Sequence, residues 1–112
     1  MPMSNMKRTI IWIDDIRNPK TYGIDATFWA RTYDEFVGYV KTFGKPDEVW
    51  FDHDLGEFSK SGYDCAKWLT EYCYDNGLME LPEYHVQSAN PVGRENILSI
   101  LRTYEKLLEK NF

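Results

Sequence analysis

The sequence predicts an α/β fold, a small doubly wound parallel sheet of four strands in the order 2-1-3-4. Four short apolar runs are typical of strands, and three other segments carry apolar residues every three or four positions, which is typical of helices. The chain has 112 residues, 43% of them hydrophobic and 28% charged, which suits one ordinary core. We therefore predict a single domain over residues 1–112, with residues 1–7 flexible.

The first half of the chain predicts two strands joined by a loop, followed by a helix. Its segments are strand 8–13, loop 16–23, strand 26–31 and a helix between Thr32 and Gly44. The first strand is mostly apolar and β-branched, as in a central parallel strand, whereas Pro19 and Gly23 disfavour a full helix in the loop. Thr32 and Glu35 form a capping-box pattern, and Gly44 ends the helix. The residues expected on its buried face are Phe36, Tyr39, Val40 and Phe43.

The second half predicts two more strands and two helices. Its segments are strand 48–52, polar loop 56–62, helix 63–74, strand 84–88 and a last helix from Pro91 to Phe112. Asn76 and Gly77 end the first of these helices. Cys65 and Cys73 lie about 12 Å apart along its axis, beyond disulfide reach, so we expect reduced core thiols and a cytoplasmic location. The residues expected to face inward are Cys65, Trp68, Leu69, Tyr72 and Cys73, then Ile97, Ile100, Leu101, Tyr104, Leu107 and Leu108.

Three aspartates come directly after two of the predicted strands. Asp14 and Asp15 close the first strand, and Asp52 closes the third. If these strands are parallel neighbours, the three side chains meet at the edge where ligands of open α/β sheets bind. Crowded carboxylates need a metal or a basic side chain, and the expected cation is Mg²⁺ or Mn²⁺. The alternative is a solvated strand end or a turn cap.

These features resemble the receiver domain of two-component response regulators. The shared features are the acidic pair after strand 1, the aspartate after strand 3, and Ser88-Ala89 at the end of strand 4. The resemblance implies that Asp14, Asp15 and Asp52 hold Mg²⁺, that Asp52 accepts a phosphoryl group, and that Ser88 binds a phosphoryl oxygen. The helix between strands 1 and 2, the fifth strand, the fifth helix and the phosphoryl-contacting lysine are missing. The expected fold is therefore a truncated receiver-like or flavodoxin-like one.

A more specific resemblance is to the cyclic-phosphate-processing receiver-like domains. The stretches that carry it are Trp12-Ile13-Asp14-Asp15, Phe51-Asp52-His53-Asp54-Leu55-Gly56, Ser61-Gly62-Tyr63-Asp64 and Ser88-Ala89-Asn90-Pro91-Val92-Gly93. The resemblance implies processing of a cyclic phosphate on a nucleotide or an ADP-ribose derivative. Many members carry His where this chain has Gln87, so the resemblance does not extend to a second catalytic histidine.

His53 and Asp54 come directly after Asp52 and complete the predicted catalytic set. An imidazole is suited to proton transfer near neutral pH, so His53 is the candidate acid or base. Asp54 is expected to orient His53, to bind the metal, or only to cap the loop. The alternative for His53 is a ring packed under the neighbouring strand, because successive residues face opposite sides of a sheet.

The start of the last helix is the predicted phosphate site. Asn90 is a good N-cap, Pro91 suits the first turn, and free backbone N–H groups at a helix start bind anions. Arg94 would add positive charge, or it is a surface arginine paired with Glu95 or Glu57. The predicted substrate-binding residues are Ser88, Asn90, Gly93 and Arg94.

The predicted function is metal-dependent hydrolysis of a cyclic phosphate. In that reaction the cation would polarise the phosphoryl oxygens while His53 moves the proton. One alternative is a module that binds or sequesters a cyclic nucleotide without chemistry. Another is a degenerate receiver that accepts a phosphoryl group on Asp52.

The expected partner is a small-molecule phosphate. The net charge of -5 and the lack of a clustered basic face argue against extended nucleic acid, and the N-terminal apolar run is too short for a membrane span. Because no helix is predicted between strands 1 and 2, one face of the sheet is expected to be thinly covered, and either a homodimer contact or the last helix would cover it. His85 is expected to be structural, whereas Tyr22 and Tyr63 are candidates for stacking on a nucleobase. The aromatic residues expected mostly in the core are Trp12, Phe28, Trp29 and Trp50.

Overall fold

A parallel four-stranded sheet forms the centre of the computed structural model, which describes residues 8–56 and 60–110. The strands are β1 (Ile10–Ile13), β2 (Phe28–Ala30), β3 (Glu48–Phe51) and β4 (Glu83–Val86). Their order is β2-β1-β3-β4, and every neighbouring pair is parallel, so the predicted fold class and strand order are confirmed. The observed strands are one to three residues shorter than predicted.

Three α-helices follow strands β2, β3 and β4. They are α1 (Tyr33–Phe43), α2 (Gly62–Asp75) and α3 (Pro91–Lys110). The connection between β1 and β2, predicted as a loop, contains one turn of 3₁₀ helix at Pro19–Tyr22, which agrees with the expectation that no full helix forms there. The expected flexibility of residues 1–7 and the expected helix end at Phe112 lie outside the described residues.

Side-chain caps fix where α1 and α2 begin. The Thr32 hydroxyl accepts a hydrogen bond from the Glu35 N–H, as predicted, but the Glu35 carboxylate accepts from the Arg31 N–H instead of closing the box on Thr32. A full capping box, which the sequence analysis missed, joins Ser61 and Asp64 at the start of α2. These caps satisfy backbone groups that would otherwise lack partners.

One face of the sheet packs on the helices and forms the core. The buried residues there include Ile11, Ile13, Val49, Phe51, Phe36, Val40, Leu69, Ile97 and Leu101. Cys65 and Cys73 are buried and unpaired, as expected, and burial raises the pKa of the Cys73 thiol to about 11. The prediction that Phe43 and Leu107 face inward is wrong, since Phe43 is 71% exposed and Leu107 is 40% exposed. Both lie near the C-terminal ends of their helices.

The other face of the sheet carries a row of aromatic rings. Cross-strand pairing aligns Trp29, Trp12, Trp50 and His85 in one register, and in-register residues share a face. The ring centroids of Trp12 and Trp50 are 5.8 Å apart, and those of Trp50 and His85 are 4.1 Å apart. Tyr22, from the 3₁₀ turn, stacks on Trp12 at 5.7 Å. Trp12 is therefore buried although no described α-helix covers it.

None of the described helices is long and apolar enough to cross a lipid bilayer.

Candidate functional site

The carboxyl ends of β1, β3 and β4 place three polar side chains in a row. Asp14, Asp52 and Gln87 each follow the aromatic row by two positions, so they lie on the same face of the sheet. The ladder continues to them, because Asp52 N–H donates to the Ile13 carbonyl at 3.1 Å and Gln87 N–H donates to the Phe51 carbonyl at 2.9 Å. Parallel pairing thus determines where this edge lies.

Asp14, Asp15 and Asp52 come close enough to share one cation. Each offers a carboxylate oxygen, and the three oxygens lie within 4.8 Å of one another. Asp14 is 1% exposed and Asp52 is 5% exposed, while Asp15 is half-buried. Strand pairing continues through the Asp14 N–H, which donates to the Ala30 carbonyl, and Asp15 lies beyond it, so the alternation of side chains does not force Asp14 and Asp15 apart. The predicted convergence of carboxylates from two segments is therefore present.

The two oxygens of Asp14 have different surroundings. Oδ1 accepts hydrogen bonds from the N–H groups of Ile16 and Arg17 at 2.9 and 2.8 Å, so Asp14 does cap a turn. Oδ2 is buried and accepts no hydrogen bond within the described residues. Arg17 Nε lies 3.1 Å from Oδ2, an ion-pair contact without hydrogen-bond alignment. A buried acceptor without a hydrogen bond is uncommon and is explained if a further ligand binds to it.

Arg17 is the basic group of the site, and the sequence analysis missed it. Its guanidinium lies 3.1 Å from Asp14 and 3.5 Å from Asp52. Burial lowers the pKa of Arg17, but hydrogen bonding to Tyr22 and the two carboxylates outweigh it and raise the pKa overall. The only signal in the sequence was a basic residue three positions after Asp14, which by itself does not predict the loop conformation.

The environment of the site shifts the pKa of Asp52. Burial raises the pKa of Asp52 to about 6, with a further rise from Asp14, and Arg17 offsets part of it. At neutral pH the carboxylate is therefore ionised at a free-energy cost that a second positive charge would remove. A divalent cation fits this need.

Gln87 adds a neutral oxygen to the same edge. Its side-chain amide donates to the Ile13 carbonyl at 3.1 Å, while its Oε1 is buried without a hydrogen-bond partner among the described residues. Carboxylate and amide oxygens are the donors that Mg²⁺ and related hard cations prefer. Two buried acceptors without hydrogen bonds, on Asp14 and Gln87, thus fit the cation site that the sequence predicts at this edge.

His53 lies at the same edge, but its ring contacts the helices. A Cβ added to Gly93, in the first turn of α3, would lie 2.6 and 2.8 Å from Cδ2 and Nδ1 of His53. Gly62 N–H donates to the His53 carbonyl at 2.8 Å, and a Cβ on Gly62 would overlap the Asp52 carbonyl. His53 Nδ1 lies 3.1 Å from Asp54 Oδ1, within hydrogen-bond distance. The contacts that the structure shows for the ring are thus with the first turn of α3 and with Asp54.

The predicted phosphate residues form a capped turn. Asn90 Oδ1 accepts from Gly93 N–H at 3.0 Å, and Arg94 N–H donates to the Asn90 carbonyl, so these two N–H groups already have partners. Ser88 Oγ accepts from Asn90 N–H at 3.1 Å, which leaves its own hydrogen available as a donor. Arg94 is exposed and makes no ion pair within residues 8–56 and 60–110; Glu57, one predicted alternative partner, lies outside them.

His85 belongs to a separate cluster with Glu48 and Glu83, which lie two positions before the aromatic row on β3 and β4. Its Nε2 lies 2.7 Å from a Glu83 carboxylate oxygen and 3.7 Å from one of Glu48. Arg8 lies 3.1 Å from Glu48 and 2.7 Å from Glu83, and it neutralises part of their charge. This arrangement is consistent with the structural role expected for His85.

The fold and the acidic edge together define a receiver-like α/β protein. In sequence, residues 9–103 match the cyclic-phosphate processing receiver domain, and the chain belongs to that family. Membership supports a role related to cyclic-phosphate processing. No curated protein matches the sequence. The fold is similar to that of a solved fusion of the yeast Spc42 trimeric coiled coil, at 20% identity and a TM-score of 0.57, covering 95% of this chain and 84% of that chain.

Proposed function

We propose that the protein hydrolyses a cyclic phosphate with the help of a divalent cation held by Asp14, Asp15 and Asp52. The observation that carries the proposal is the convergence of these three carboxylates within 4.8 Å, with one oxygen of Asp14 buried and without a hydrogen bond. Mg²⁺ or Mn²⁺ suits the all-oxygen donor set. When bound, such a cation supplies positive charge that stabilises phosphoryl oxygens during hydrolysis.

The side chains around the acidic edge have separate roles in this proposal. Ser88 donates its free hydroxyl hydrogen to a phosphoryl oxygen, and Arg94 and Arg17 supply positive charge. His53 takes the proton from the attacking water, because Asp54 beside Nδ1 favours the tautomer with a lone pair on Nε2. Water adds to phosphorus, one of the two ester P–O bonds breaks, and protonated His53 returns its proton to the released oxygen. The product is a phosphate monoester.

The test is a panel of nucleoside cyclic phosphates incubated with the purified protein and Mg²⁺ or Mn²⁺. We expect ring opening that stops on addition of EDTA and is lost in Asp52→Asn. The control is Asp25→Asn, which makes the same chemical change at an exposed loop position and should retain the native rate. Full turnover by Asp52→Asn, or turnover that EDTA does not change, would contradict the proposal.

A second candidate function is binding of a cyclic nucleotide without chemistry. The observation that favours it is that the sequence contains only two histidines, and His85 is engaged with Glu48 and Glu83 in the other cluster. His53 is thus the only histidine left to carry protons at the acidic edge. Recovery of intact ligand after saturable binding would support this candidate over hydrolysis.

A further inference from the structure

A groove between the start of α2 and the middle of α3 lies beside His53. Its volume is about 650 Å³, within the size range of small-molecule sites. The α3 residues in its wall recur every three or four positions, so they form one face of the helix, next to the face buried in the core. The residues that line the groove are His53, Ser61, Tyr63, Asp64, Asn96, Ser99, Ile100 and Thr103.

The wall of the groove is polar but carries no cation. No Lys or Arg is among the described residues that line it, so away from His53 it offers no positive charge for a phosphate. Asn96 and Ser99 have side chains that make no hydrogen bond within the described chain, and both are exposed. They can donate to or accept from hydroxyl and amide groups of a ligand. Tyr63 and Ile100, both half-buried, add surfaces suited to a flat ring.

One end of the groove is chemically different from the rest. His53 stands there, held on its Nδ1 side by Asp54, and the first turn of α3 packs on its ring. Ser88 and Arg94, the proposed phosphate ligands, belong to the segment that enters the same turn. A ligand lying along the groove would therefore meet the phosphate-binding groups only at the His53 end.

We propose that this groove binds the nucleoside part of the substrate, an uncharged ring system with hydroxyl groups, and places its phosphate at the His53 end. The proposal rests on the proposed function for the position of the phosphate. Tyr63 and Ile100 contact the base, and Asn96 and Ser99 hydrogen-bond to polar groups of the sugar or base. The groove thereby selects nucleoside phosphates over inorganic or simple alkyl phosphates.

The test measures binding of adenosine, guanosine, cytidine and uridine by amide NMR in the presence of EDTA. Without a cation or a phosphate, only the groove contributes to binding. We expect at least one nucleoside to shift the amide signals of Asn96, Ser99 and Thr103. Ser99→Trp fills the groove and should weaken that binding at least about tenfold. Glu109→Trp places the same ring at an exposed position of α3 outside the groove and should leave binding unchanged.

Two results would overturn the nucleoside site. One is the absence of shifts at the groove with all four nucleosides, and the other is undiminished binding by Ser99→Trp. Turnover of nucleoside cyclic phosphates distinguishes this failure from failure of the proposed function. If Ser99→Trp hydrolyses them with an unchanged KM, the hydrolase stands and the groove proposal is wrong. If nucleosides bind the groove but no Mg²⁺ binds and nothing is hydrolysed, the groove proposal survives and the proposed function is wrong.

Discussion

Replacing Asp52 by Asn is expected to stabilise the metal-free protein at neutral pH. Burial and the charge of Asp14 raise the pKa of Asp52 from 3.8 to about 6, so the ionised carboxylate is disfavoured in the folded chain. Each pKa unit corresponds to about 1.4 kcal/mol, which gives an upper bound of about 3 kcal/mol. The pKa of Asp52 already includes the favourable charge of Arg17, so we expect a net gain of about 1–3 kcal/mol in the free energy of unfolding.

The pH dependence gives this prediction its sign. A carboxyl group whose pKa is higher when folded binds its proton more tightly in the folded state, so stability is highest while it is protonated. The native chain should therefore lose stability, relative to Asp52→Asn, as pH rises from 3.8 through about 6. Below that range the two proteins should differ little, because a protonated aspartate resembles asparagine.

The assay is urea unfolding at about pH 4 and about pH 7.5, once with EDTA and once with Mg²⁺ in place of EDTA. A ligand at one hundred times its Kd stabilises a folded protein by about 2.7 kcal/mol, so Mg²⁺ should stabilise the native chain and not the variant. The control Asp25→Asn should behave as the native chain does in both conditions. An Asp52→Asn variant that is no more stable than the native chain in EDTA at about pH 7.5 would refute the reasoning.

Three further substitutions test the contacts around the site. Arg17→Ala leaves the Asp14 and Asp52 carboxylates unneutralised, so in EDTA it should lower the free energy of unfolding by about 1–2 kcal/mol. The same variant should bind Mg²⁺ more tightly in calorimetry, and weaker binding would show that Arg17 does not compete with the cation. Gly62→Ala places a methyl group against the Asp52 carbonyl and should cost about 3 kcal/mol in urea unfolding; native stability would contradict the close packing. Gly93→Ala should displace the His53 ring, which would appear as shifted imidazole signals by NMR, and it should lower turnover while costing only about 1–2 kcal/mol of stability. Unchanged imidazole signals and an unchanged rate would remove this contact from the mechanism.

The acidic edge was predictable because it depends only on strand order and strand ends. Asp14, Asp15 and Asp52 follow buried apolar runs, and parallel pairing brings the ends of adjacent strands together whatever the loops do. The strand order itself followed from right-handed crossovers. Short-range sequence patterns and general topology were therefore sufficient for this part of the site.

Arg17 and the direction of His53 were not predictable because tertiary contacts decide both. Arg17 reaches the carboxylates from a loop whose path depends on ring stacking of Tyr22 on Trp12. His53 lies beyond the end of β3, where the alternation of a strand no longer dictates which way a side chain points. Its ring is directed by the close approach of Gly93, a contact between residues forty positions apart in sequence.

The two misplaced helix residues have a similar physical cause. α1 has 11 residues and spans about 16 Å, whereas a four-residue strand spans about 13 Å, so Phe43 at the last position has no sheet beneath it. In α3, Leu108 is buried, and Leu107 is turned about 100° from it toward solvent. Helical periodicity predicts a stripe, but the extent of the partner surface decides which members of the stripe are buried.

The aromatic row explains how a receiver-like sheet keeps its acidic edge without a helix between β1 and β2. The indole N–H of Trp12 donates to the Arg17 carbonyl at 2.8 Å, and that of Trp29 donates to the Asp14 carbonyl at 2.7 Å. These two bonds hold both ends of the segment that carries Asp14, Asp15 and Arg17. Tyr22 stacks on Trp12 and covers the ring that a helix would otherwise shield. The rings thus serve as the support for the acidic residues and for their counter-ion, and the geometry of the candidate cation site depends on them as much as on the carboxylates.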